Sequence, residues 1–150
     1  MLSLFEPARA QEIRERAASL RPDSARIWGT MTVSQGLEHM GKGLRMGLGD
    51  SKPPRLLVGR LMGGLIKNMA LGNDRPLRRN TPTDPSLVAK GSPDFETQRT
   101  SLLALVDRFH TAGPSGCTTH PHPFFGKLTP DEWAINQYKH LDHHLRQFGA

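Results

Sequence analysis

TPDEWAINQYKHLDHHLRQF, residues 129–148, is the stretch on which the fold turns. Thr129 can cap a helix, Pro130 suits the first helical position, and Glu132 completes a capping box three residues after Thr129. Beyond that start, Ala134, Tyr138, Leu141, Leu145 and Phe148 recur at the spacing of one helix face, so this stripe points into a core. His140 and His144 stand one turn apart on a single face. At about 100° per residue they lie roughly 80–120° round from the centre of the stripe, beside Trp133 and Gln137. His143 falls almost opposite the stripe and is expected to face solvent. The pair therefore sits at the margin of the core, where helical bundles build metal sites. Two imidazoles hold a metal poorly, so the rest of the chain must supply a third ligand. Without one, these residues are a histidine-rich helix end whose imidazolium groups suit the negative end of the dipole.

Working outward, 150 residues suit a single domain spanning 1–150 with a core of its own. One cysteine, Cys117, excludes a disulfide within the chain. The opening MLSLFEPARAQEIRER turns charged at once and has no apolar signal core, which predicts a cytoplasmic protein. Its most apolar run, residues 56–71, is broken by Arg60 and Lys67 and is not a membrane span. A net charge of +6 permits attraction to polyanions without establishing one as a partner. The basic cluster Arg75, Arg78 and Arg79 lacks the interleaved aromatic residues that stack bases, so nucleic acid is not the expected partner. Its alternatives are a solvated face or an anchor for a small anionic ligand.

Four further helices are predicted. Ser3 and Glu6 suggest a capping box opening a helix over about residues 4–20, with Phe5, Ile13, Ala17 and Leu20 inward. A turn-rich connection carries Trp28, read as a core anchor. Thr32 and Gln35 form another capping box, followed by the stripe Val33, Leu37, Met40, Leu44 and Leu48. His39 lies off that stripe on a flank shared with Gly36, Gly43 and Met46, a flank buried only if a second helix packs closely. Residues from about 55 to 70 form an accessory amphipathic helix. Pro76, Pro82 and Pro85 mark residues 72–92 as loop, and Ser92-Pro93 is taken as the start of a helix running to about Thr111. His110, late in that helix, is read as a partner for its C-terminal dipole. No run has a convincing period of two, so the expectation is an all-α four-helix bundle with one accessory helix.

His39 on the second helix and His140 with His144 on the last are the ligands such a bundle brings to one point. Three imidazoles suit a divalent transition metal, zinc or nickel first, with a fourth position open to a small molecule. A rival set is Cys117, His120 and His122 in the loop before the last helix, although its spacing lacks the paired knuckles of structural zinc sites. Cys117 beside His120 is also a nucleophile candidate.

TVSQGLEHM around His39 and HLDHHLRQF from His140 to Phe148 carry a lone histidine followed, about a hundred residues later, by His-x-x-His-His-x-x-Gln. This pattern resembles the DinB-like superfamily of metal-binding four-helix bundles. WG-x-M-T-V-S-Q and HPFFGKLTPDEW further resemble a branch known only as a domain of unknown function. The resemblance spans nearly the whole chain and is vague only across residues 50–92. It implies His39, His140 and His144 as metal ligands and excludes His143, as the helical angle does. It also implies either a thiol-dependent transferase or isomerase or a protein with no known reaction. The favoured case is a metal-dependent transferase that uses a low-molecular-weight thiol against a small electrophile, with hydrolysis by metal-activated water as the other use of the site. In the favoured case Trp133, Gln137 and His122 are candidates to meet the substrate or to support the metal ligands from behind, and Arg75, Arg78 and Arg79 to anchor a carboxylate-bearing thiol. The other reading is a non-enzymatic, stress-associated metal-binding bundle that acts by homodimerisation or partner binding.

Overall fold

The computed structural model describes residues 1–81, 84 and 87–150; Pro82 and Pro85, read above as loop residues, lie outside them. Among the described residues the chain is all-helical, without strands. Its helices are α1 (Pro7–Ser19), α2 (Val33–Gly47), α3 (Leu57–Leu71), α4 (Phe95–Ala112) and α5 (Pro130–Gln147). None is long and apolar enough to cross a membrane.

Helix starts follow local chemistry where a cap is available. Thr32 and Gln35 close a full capping box on α2, and Thr129 and Glu132 close one on α5. The other two expected starts move. Ser3 and Glu6 do not form a reciprocal box. Glu6 accepts from Ser3 N at 3.1 Å, but the Ser3 hydroxyl accepts from Phe5 N at 3.3 Å, and α1 begins at Pro7. For α4 the cap is Asp94, whose carboxylate accepts from Thr97 N at 2.8 Å, in place of Ser92.

Among the helices, α1 and α2 each pack against both α4 and α5, so α1 lies diagonally across from α2. The space between them holds one core cluster in which Ile13, Leu37, Leu44, Leu102, Phe109, Trp133, Leu141 and Leu145 are buried. Phe5 stacks on Phe109 at 5.6 Å. At the edge of this core, Asp142 on α5 is nearly buried and takes Arg16 of α1 at 2.9 Å.

Two contacts set the position of the site. First, α5 lies close on α2 because α2 offers glycines. A Cβ on Gly36 would stand 2.3 Å from the Phe148 ring, and one on Gly43 would stand 2.8 Å from His140. The flank carrying His39 is buried by that approach. Second, α3 touches only α5 among the helices and is pinned by the loop before α5. The loop closes tightly on itself, His122 N donating to Gly126 O at 2.8 Å. Gly59 and Gly63 of α3 press on its backbone, where a Cβ would stand 2.4 Å from the carbonyl oxygens of Pro123 and Phe124. Lys67 pairs with Glu132 at 2.7 Å, and Lys139 donates to the carbonyls of Ala70 and, at 2.8 Å, Asn73.

Candidate metal centre

His39, His140 and His144 meet where α2 and α5 pack. Their ring centroids are 4.8, 4.6 and 4.8 Å apart, a nearly equilateral triangle. One nitrogen from each ring lies within 4.8 Å of the other two, so the three side chains could hold a metal ion. His39 Nε2 and His140 Nε2 are 2.9 Å apart. In a tetrahedral zinc site, bonds of ~2.0 Å separate the ligand nitrogens by about 3.3 Å, so small ring rotations meet the requirement.

The outer nitrogens show how the rings are oriented. His39 Nδ1 donates to Leu87 O at 2.9 Å, and His144 Nδ1 donates to Gln147 Oε1 at 2.8 Å. Gln147 is fixed in turn, its Nε2 donating to Trp28 O at 2.8 Å. With the protons on Nδ1, the Nε2 lone pairs of His39 and His144 turn inward, as a metal ligand requires, and without a metal His140 Nε2 donates to that of His39. Leu87 is held by α2 itself. Gln35, His39 and Lys42 occupy one helix face and bond the carbonyls of Gly91, Leu87 and Val88 at 2.8, 2.9 and 3.0 Å.

Burial keeps the rings neutral. It pushes His140 well below the usual imidazole value, with His144 and His39 adding to the effect. His144 falls to about 3 through burial and then His39, and His39 is lowered by burial despite its bond to Leu87. Neutral imidazole is the form that binds a metal.

The triad opens on a cleft of about 1140 Å³. His122, Phe124, Phe125, Val58, Ile66 and Met69 give it apolar walls, while Arg75, Arg78, Asn136 and Gln137 supply polar groups. Of the expected substrate-facing residues, Gln137 and His122 line the cleft. Trp133 does not; it is 1% exposed and sits in the core with its ring 5.5 Å from that of His122. His122 Nδ1 accepts from Phe124 N and Phe125 N at 3.2 and 3.3 Å, and burial lowers its pKa to about 4. Arg75 and Arg78 line the cleft, whereas Arg79 lies over the Trp28 ring at 4.0 Å.

Several expectations are corrected. His143 is half-buried, packs edge-on against Trp28 at 5.5 Å and bonds the Leu77 backbone. Trp28 is itself a half-buried wall of the cleft and not a core anchor. The reason is common to both: the chain around Leu77–Arg79 folds back over this edge of α5, which a helical wheel cannot register. The loop set Cys117, His120 and His122 does not converge as a metal site. His120 Nε2 bonds Pro53 O at 3.0 Å, His122 serves its own turn, and burial raises Cys117 to about 11, the opposite of an activated nucleophile. His110, by contrast, lies in the last turn of α4 as expected, and its Nδ1 also bonds Leu4 O at 3.1 Å, fastening the N-terminal segment to that helix.

No curated protein and no solved structure matches the chain significantly. The family described as "Protein of unknown function (DUF1569)" matches it over residues 6–150, and the chain belongs to that family.

Proposed function

We propose that this chain is a single DinB-like four-helix-bundle domain, α3 being the accessory helix. It binds one divalent transition metal, zinc or nickel, through the Nε2 atoms of His39, His140 and His144. One observation carries the reading: three neutral imidazoles converge on the wall of a cleft large enough for a small molecule. The donor set fits the ion. Three nitrogens on one side leave a position towards the cleft, the arrangement of catalytic rather than closed structural sites.

The favoured function is that of a cytoplasmic metal-dependent transferase that moves a low-molecular-weight thiol onto a small electrophile. A divalent ion lowers the pKa of a thiol or water bound to it and so supplies a nucleophile at neutral pH. The chain does the rest. Arg75 and Arg78 offer positive charge to ligand carboxylates, Arg79 holds the Trp28 edge, and Phe124 and Phe125 give the inner cleft apolar walls.

Metal content decides the first step. Wild type purified without chelator or a metal-binding tag should carry about one equivalent of zinc or nickel, and His144→Ala should carry none. A wild type that stays metal-free after reloading with both ions removes the proposal. If metal is present, thiols and electrophiles are screened together, with Arg75→Ala/Arg78→Ala expected to weaken carboxylate-bearing ligands.

A second reading, a non-enzymatic metal-binding protein that acts through homodimerisation, is favoured by the exposed apolar face of α3. Leu57, Leu61 and Met69 there are 74%, 79% and 69% exposed.

A further inference from the structure

His140 is held differently from the other two histidines. His39 and His144 pass their outer protons to fixed acceptors, whereas among the described residues His140 Nδ1 makes no hydrogen bond. Gln137, one turn earlier on α5, also has an atom without a hydrogen bond among the described residues. Its side chain is 1% exposed, and its Nε2 donates to Gly43 O at 3.0 Å, which fixes the amide; its Oε1 is buried without a partner. Both groups press on one glycine. A Cβ on Gly43 would stand 2.8 Å from His140 Nδ1 and 3.6 Å from Gln137 Oε1.

The partner of His144 shows what this arrangement is for. Gln147 places its NH₂ on a backbone carbonyl, Trp28 O, and its Oε1 on the imidazole three residues away. Gln137 likewise places its NH₂ on a backbone carbonyl, Gly43 O, three residues from His140. Residues three apart on a helix are neighbours, and both atoms flank Gly43, so rotation of the His140 ring can bring them together.

We propose that Gln137 is the positioning residue for His140, its Oε1 accepting the Nδ1 proton when the three Nε2 atoms close on a metal. The inference rests on the metal-site reading above. It gives each ligand its own acceptor, a carbonyl for His39 and a glutamine for each of His140 and His144. Such partners fix the tautomer and raise ligand basicity, and losing one costs about 10–100-fold in metal affinity.

Zinc dissociation constants are measured on the full chain by competition with a chromophoric chelator. Gln137→Leu is expected to weaken binding about 10–100-fold, as is Gln147→Leu, the internal standard. Gln137→Glu keeps an acceptor for the Nδ1 proton but loses the donor to Gly43 O, and is expected to bind more tightly than Gln137→Leu. Proton NMR of the zinc-loaded wild type supplies a readout that does not depend on any variant folding. A slowly exchanging Nδ1–H signal is expected from each of the three ligands, and among these Gln137→Leu should lose the one from His140 alone. Wild-type affinity in Gln137→Leu, or rapid exchange of His140 Nδ1–H in the wild type, overturns the assignment. A Gln137→Leu chain that keeps its zinc affinity and loses only a small-molecule ligand also overturns it. Failure of the wild type to bind zinc is a different result and removes the metal site itself.

Discussion

At the scale of single residues, what distinguishes this protein is a group of histidines buried as neutral rings. His122 allows the cost to be worked out. Burial holds it at about 4, Asp84 opposing the shift and Arg55 adding to it, while an unfolded imidazole titrates near 6.5. Above pH 6.5 neither state binds the proton and stability is unaffected. As the pH falls from 6.5 towards 4 only the unfolded chain takes it up, so stability is lost across that window, by at most about 3 kcal/mol from this residue. The metal-free protein should therefore lose urea resistance steeply between pH 6.5 and 4. His122→Asn should remove about one proton from the uptake on unfolding at pH 5. A flat stability profile across that range contradicts the buried neutral state. Gly43 provides a second test at this scale. Gly43→Ala drives a methyl against the His140 ring, and the prediction is a loss of zinc affinity of at least about tenfold with the helices intact by circular dichroism. Unchanged affinity would mean that the ring has room to yield.

At the scale of elements, α3 is the exception among the helices. It rests on the loop before α5 through glycines, and two adjacent glycines have opposite surroundings. A Cβ on Gly63 would stand 2.4 Å from Phe124 O, which is backbone and cannot yield, whereas one on Gly64 meets nothing within 4 Å. Gly63→Ala should destabilise by about 1–3 kcal/mol through overpacking. Gly64→Ala should stabilise by up to about 1 kcal/mol through helix propensity alone. Equal effects in urea denaturation would show that α3 is not seated on the loop. The contrast bears on what a sequence can reveal. The start of α5 was legible because Thr129, Pro130 and Glu132 act within one turn, and its stripe because Ala134 to Leu145 follow one period. The start of α4 was not, since Asp94 competes with Ser92 for the cap and the pattern cannot rank them. His140 and His144 could be paired from spacing alone, but the burial of His39 depends on how closely α5 approaches Gly36 and Gly43. The supporting role of Gln147 was missed, although a glutamine three residues after His144 was a visible signal. Trp28, His143 and Trp133 were misjudged because the 77–79 segment and the HPFFG turn cover faces that a helical wheel leaves open.

At the scale of the whole molecule, the same glycines raise a question of assembly. By facing Gly59 and Gly63 inward, α3 turns Leu57, Val58, Leu61, Met62, Leu65 and Met69 outward, each between 47% and 79% exposed. This is on the order of 600 Å² of apolar side chain, at the upper end for the largest patch on a monomer and most of the ~800 Å² that each partner gives to a stable interface. Of the two cations of α3, Lys67 is engaged by Glu132, and Arg60 makes no ion pair among the described residues. A two-fold axis across α3 would bring like apolar faces together, and the open space at Gly64 lets the helices approach. The prediction is a homodimer in sedimentation equilibrium at micromolar concentration, and a monomer for Leu61→Glu/Leu65→Glu. Neither residue lines the cleft, so the variant should keep zinc affinity, which also certifies its fold. Val58, Ile66 and Met69 of the same helix do line it, so pairing α3 would hold one wall of the cleft in place. Ligand affinity in the dimer should then exceed that in the monomeric variant, while zinc affinity stays equal. A wild type that remains monomeric at 100-fold higher concentration sinks the homodimer and leaves the metal centre untouched. The two claims share a fold but no residue, since the centre is built by α2 and α5 and the pairing face by α3 alone.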